Sequence, residues 1–188
     1  MVRKENSKSG LKARKAGRAG SGLILAALAF GLTGQPAWAA EDPLLSRMTG
    51  DFVGRGTFKS SPSAEPEMVY CKITNALASG GTVLTQKGRC AVATNSGRVT
   101  GTMEAKGGGV YQGTLESLST KGPVKFAGQA SGDQITMNAD FVDKRSSKPG
   151  KAVIQTVVGD GKYRTVSRTL DTKTQSEFVA SDIVFTKQ

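Results

Sequence analysis

Cys71 and Cys90 are the only cysteines of the chain, and histidine is absent. Without imidazole there is no Ser-His-Asp or Cys-His nucleophile, no histidine acid–base step, no histidine zinc site and no histidine-bound haem. Carboxylates remain at Asp140, Asp143, Asp160, Asp171 and Asp182. They stand at turns and strand ends, where aspartate serves turn hydrogen bonding and solvation. No P-loop, dinucleotide glycine motif or EF-hand loop is present. Gly107-Gly108-Gly109 reads as a turn rather than a phosphate cradle, because no helix follows it. The expectation is a protein that is not an enzyme, with no cofactor and no metal.

Two groupings could still bind something. Lys144, Arg145, Lys148 and Lys151 place four cations in eight residues. They could grip a phosphate or an acidic glycan; the plainer reading is a solvated hairpin loop. The second grouping is apolar: Phe52, Gly54, Phe58, Tyr111, Phe126, Met137 and Phe141 fall on the inward positions of alternating stretches. They could line a pocket for one small molecule, with the glycines leaving space, or they could be packed core.

The elements that must position these residues start with the cysteines. Folding Met68–Val92 about Gly80-Gly81 as an antiparallel hairpin sets Leu77 against Leu84, Val69 against Val92 and Cys71 against Cys90. Directly opposed Cα atoms lie about 4.5–5.5 Å apart, within reach of a disulfide. Two loops satisfy this register: two residues at Gly80-Gly81, or four from Ser79 to Thr82. Glycine accepts positive φ in either turn. The longer loop puts the cysteines at a non-hydrogen-bonded pair, whose closer approach suits a bridge better.

Export supplies the oxidising setting for that bond. Residues 1–18 carry seven basic side chains and only Glu5, an apolar run follows from Leu23 to Leu32, and Ala37-Trp38-Ala39 offers small residues where a signal peptidase reads. The pattern is that of a secretory signal peptide over residues 1–39, cut after Ala39. Its apolar run is too short for a membrane span, which needs roughly 20 residues. Two cysteines in an exported chain should pair. The whole chain has 26 basic and 15 acidic residues. Removing the leader's seven and one leaves 19 and 14, a net charge of +5. That suits loose attraction to anionic surfaces and is no nucleic-acid footprint.

Residues 40–188 have the size of one domain with one core. After a helical turn at Pro43–Met48 they alternate with period two between glycine turns. Strands are expected at Asp51–Lys59, on both arms of the hairpin, and at Arg98–Ala105, Val110–Leu118, Pro123–Ala130, Gln134–Val142, Ala152–Val158, Lys162–Leu170 and Glu177–Thr186. The segment Asp143–Lys151 reads as a polar loop. Strands at this spacing, without an amphipathic helix, indicate an all-β antiparallel meander. Closure into a barrel of about 8–10 strands would hide every edge.

The stretch Gly50-Asp51-Phe52-Val53-Gly54-Arg55-Gly56-Thr57-Phe58, entered from a helical turn, resembles the first strand of calycin-type barrels. These are the lipocalins and fatty-acid-binding proteins. Their opening motif is Gly-x-Trp, and Phe52 stands where tryptophan is usual. With Arg89-Cys90 on the second arm of the hairpin and glycine-punctuated strands after it, the chain also resembles a set of small exported α-proteobacterial barrel proteins to which no one activity attaches. The resemblance implies a barrel and export, and a ligand by analogy.

The expected protein is a periplasmic or secreted barrel, without a transmembrane segment after signal removal, that binds a small apolar or amphipathic ligand and no nucleic acid. The alternative is an envelope interaction or inhibitor protein that meets an anionic glycan or protein through its outer surface.

Overall fold

Period-two alternation between glycine turns produces ten antiparallel strands, each paired with its neighbours in sequence. The computed structural model describes residues 41–171 and 174–188. The leader, residues 1–39, and its cleavage site lie outside them. The strands are β1 Gly50–Phe58, β2 Glu67–Ala78, β3 Val83–Val92, β4 Asn95–Ala105, β5 Val110–Glu116, β6 Val124–Ser131, β7 Gln134–Val142, β8 Pro149–Gly159, β9 Lys162–Leu170 and β10 Glu177–Lys187. β1 pairs with β10 as well as with β2, so the meander closes into a barrel with no free edge. The architecture is consistent with a calycin-like fold.

The hairpin takes the longer loop. Its ladder closes on Ala78↔Val83, leaving Ser79–Thr82 as the turn, with positive φ at Ser79, Gly80 and Gly81. Leu77 faces Leu84 and Cys71 faces Cys90. The cysteines are bonded, with Cα atoms 4.1 Å apart. That separation belongs to the closer, non-hydrogen-bonded class of opposed pairs.

One end of the barrel is stoppered by a short helix, α1 Pro43–Arg47. Asp42 caps it, its Oδ1 accepting from the amides of Leu44 (3.1 Å) and Leu45 (3.0 Å). Pro43 at the first helical position gives up an amide the helix would leave unpaired anyway. Leu44, Leu45 and Met48 point into the barrel end and are buried. Each such side chain stabilises the fold by about 1.5–3 kcal/mol. The Asp42 amide donates to the Gly81 carbonyl, and Arg47 pairs with Asp133. The β2–β3 and β6–β7 turns therefore gather around α1, and this is the closed end.

Most strand boundaries shift by one to three residues from the sequence expectation, and two of the shifts move residues of interest. β8 starts at Pro149, so the polar loop is shorter and Lys151 lies on a strand. Proline is tolerated there because it is the first strand residue. β5 ends at Glu116, and Leu118 turns away to reach Gly97 on β4. Among the described residues no helix is long and apolar enough to cross a membrane.

Candidate functional site

Alternation decides which side chains face the lumen. On β1 these are Phe52, Gly54, Gly56 and Phe58, and on β9 Tyr163, Thr165, Ser167 and Thr169. Toward the closed end the lumen is filled. Phe52 is 1 % exposed and meets Tyr163 edge-on, ring centroids 5.1 Å apart. Tyr163 in turn stacks on Phe185 at 4.7 Å.

The glycines are not vacant space. Gly54 pairs directly with Phe185, and a Cβ at Gly54 would lie 2.5 Å from that ring. Gly113 opposes Phe126 and Gly150 opposes Phe141, with a Cβ 2.6 Å from the ring in each case. Each ring lies across a glycine of the next strand. Glycine permits that close approach, and the ring then lines the wall instead of crossing the lumen.

The residues singled out as ligand-lining accordingly divide. Phe52, Gly54, Tyr111 and Met137 belong to the packed closed half, and Phe126 is buried on β6. Phe58 and Phe141 stand half-buried near the open end. Tyr111 has a definite task there: its hydroxyl donates to the Asp42 carboxylate at 2.9 and 3.1 Å, tying β5 to the cap of α1. Burial, and then Asp42, hold the Tyr111 phenol well above its ordinary value.

The closed end also holds a buried polar group that the sequence pattern does not single out. Asn75 and Gln86, opposed on β2 and β3, both face inward. The Asn75 amide donates to the Met48 carbonyl (2.8 Å) and to the Tyr163 hydroxyl (3.3 Å), and the Gln86 amide donates to the Asn75 oxygen (3.1 Å). Burial raises the Tyr163 phenol; the bonds from Asn75 and Gln86 oppose that rise. The hairpin register already sets Asn75 against Gln86 on the cysteine face, and that was the available signal.

The half away from α1 has another character, although Val69, Cys71 and Val124 are buried within it too. Thr165, Ser167 and Thr169 on β9 and Ser181 on β10 face inward and are half-buried, as are Ile154 and Ile183 beside them; the Thr165 hydroxyl meets that of Thr156 (3.2 Å) and the Thr169 hydroxyl donates to the Lys151 carbonyl (2.8 Å). β4 and β5, on the far side of the closed strand order, present Val99, buried, and Leu115, half-buried. One wall carries hydroxyls and the other is apolar.

The cations of the predicted loop do not act as one cluster. Lys144, Arg145 and Lys148 are exposed on the turn between β7 and β8, at the open rim. Asp143 organises that turn, accepting from the Ser146 amide (2.7 Å) and hydroxyl (2.8 Å). Lys151 stands apart on β8 and donates to Asp140 at 2.6 Å.

Among the described residues no three His, Cys, Asp or Glu side chains are placed to hold a metal ion. No protein-family model matches this chain, and no curated protein matches it.

Proposed function

We propose that this protein is a non-catalytic, exported barrel that holds one small amphipathic molecule in the half of its lumen away from α1. The observation that carries the reading is the inward row Thr165, Ser167, Thr169 and Ser181, only half-buried although it faces the inside of a closed barrel. Side chains in a filled lumen would bury this row fully, and among the described residues the Ser167 and Ser181 hydroxyls are the ones in it without a hydrogen-bond partner. A molecule with an apolar body and a few hydrogen-bonding groups matches a lumen with one hydroxyl wall and one apolar wall. An eight-stranded barrel is just wide enough to be filled by side chains or to hold one small ligand, and diameter grows with strand number. Ten strands, with Thr165, Ser167, Thr169 and Ser181 in place of larger side chains on one wall, fit the ligand-holding case. The Cys71–Cys90 bond supports an oxidising compartment, and the lipocalin-like first strand supports the ligand class.

Native mass spectrometry of protein taken from its own cell envelope tests the reading, together with displacement of a fluorescent fatty acid. A retained small molecule, or saturable uptake lost in Ser167→Phe at unchanged melting temperature, is the expected result. Ser167→Phe that instead destabilises by about 1–3 kcal/mol, as overpacking does, with no uptake by the wild type, would refute it.

A further inference from the structure

The outer wall of β2, β3 and β4 holds an arrangement that fold stability alone does not explain. Lys72 on β2 lies directly opposite Arg89 on β3, and Arg89 lies directly opposite Arg98 on β4. All three are exposed. Like charges set directly opposite each other across a ladder are destabilising. Lys87 stands two residues along β3 on the same face, and Arg55 lies on β1 over the exposed ring of Tyr70, 5.3 Å from its centroid. Among the described residues none of these five cations forms an ion pair. The face has carboxylates only at its margins. Asp51 accepts from Thr74 at 2.6 Å and Glu116 from Thr100 at 3.3 Å.

The disulfide stands directly behind the row. Cys71 precedes Lys72 and Cys90 follows Arg89, with both sulfurs on the inner side of the same two strands. The covalent bond holds in register two strands whose outward charges repel. A shallow depression between Lys72 and Arg89, bounded by Tyr70, Ala91 and Ser96, lies beside the row.

We infer that this face is a binding surface for a linear acidic polysaccharide that crosses the strands. Lys72, Arg89 and Arg98 recur once per strand, at the inter-strand spacing of about 4.8 Å. A chain bearing an anion on successive sugars meets one cation after another along that line. The geometry favours a glycan over a nucleic acid. Single-stranded nucleic acid is gripped by several aromatic platforms along a groove, and on this face Tyr70 is the one exposed ring among the described residues, with Arg55 over it. The disulfide supports an oxidising compartment outside the cytoplasm, where nucleic acid is the less common polyanion. The surface is separate from the lumen and from the Lys144–Lys148 turn.

The test compares three chains, each purified after export, for binding to polygalacturonate, with dextran as the neutral polymer and poly-dT as the nucleic acid. The chains are the wild type, Lys72→Gln/Arg89→Gln/Arg98→Gln, and Lys144→Gln/Arg145→Gln/Lys148→Gln. Loss of three exposed ion pairs should weaken polygalacturonate binding by roughly tenfold in the row variant. It should also flatten the dependence on salt by roughly two to three units of log–log slope. The rim variant should change less than about twofold, as charges outside the contact do. The row variant should melt no lower than wild type, since it removes repulsion, so a loss of binding reports the surface. Equal losses in both variants, an unchanged row variant, no binding by wild type, or a larger loss for poly-dT than for polygalacturonate would each overturn the inference.

Discussion

The ring of Phe185 lies across Gly54, its partner in the β1–β10 ladder, so closely that a Cβ at Gly54 would approach it to 2.5 Å. Phe185 has little room to yield, because its other neighbour is the stacked ring of Tyr163. Gly54→Ala should therefore destabilise the barrel by about 1–3 kcal/mol through overpacking. Gly54→Leu should prevent folding rather than merely occupy the lumen. In a double-mutant cycle with Phe185→Leu, the second substitution should cost less in the Gly54→Ala background than in wild type. Urea unfolding of the four proteins measures this. Additive costs would mean that the ring moves aside freely.

Tyr111→Phe tests the latch between β5 and α1. The substitution keeps the ring and removes only the hydroxyl that donates to Asp42 at 2.9 Å. A hydrogen bond to a charged group contributes about 1.5–3 kcal/mol. Asp42 retains its two helix amides, so the lower end of that range is expected. Amide exchange over Leu44 and Leu45 should quicken while the strands far from α1 keep their protection. Uniform loss of protection would mean that α1 is no separate stopper.

The strand order and the hairpin register were legible because both rest on local signals: period-two alternation, glycine turns, and one pair of cysteines opposed about Gly80-Gly81. The rest needed partners distant in sequence. Gly54 reads as empty space until Phe185 is known to be its neighbour, and those two meet only when the barrel closes. Lys151 reads as a loop cation until β8 is seen to begin at Pro149 and place it beside Asp140. The row Lys72, Arg89 and Arg98 becomes visible only when β4 is laid in register on β3, since turn residues beyond Val92 leave that register open. Asp42 is legible as well, since an Asp-Pro step before Leu-Leu is an N-cap signal.

Removing the disulfide should reveal a cost larger than chain entropy alone. Cys71 and Cys90 close a short loop, 19 residues apart in sequence. Cross-linking such a loop contributes about 3 kcal/mol on the chain-entropy model. Cys71→Ala/Cys90→Ala also frees two strands on which Lys72 and Arg89 repel. Combining it with Arg89→Gln should recover a few tenths of a kcal/mol, the scale of one cross-strand pair. Thermal unfolding decides the point. A midpoint unchanged by the double alanine would mean that the bond does not support the fold.

Alkaline pH should unfold the barrel through Tyr111 and Tyr163. Burial is the largest cause of the raised phenol at each. Asp42 adds to it at Tyr111, while the amides of Asn75 and Gln86 partly oppose it at Tyr163. In the unfolded chain both hydroxyls ionise near pH 10, at about the ordinary value for tyrosine. Above that pH the folded state binds more protons than the unfolded state. The stability these groups contribute is therefore fully present below about pH 10, declines as pH rises beyond it, and is lost as pH passes the folded values. Tyr111→Phe, already weakened, should show a shallower decline because one of the two groups is gone. Phenolate absorbance measured alongside far-ultraviolet circular dichroism, in a Tyr70→Phe background that leaves only the two buried rings, gives the result. Their ionisation should accompany loss of the strand signal. Phenolate forming near pH 10 while the strands persist would mean that neither hydroxyl is enclosed as the closed end requires.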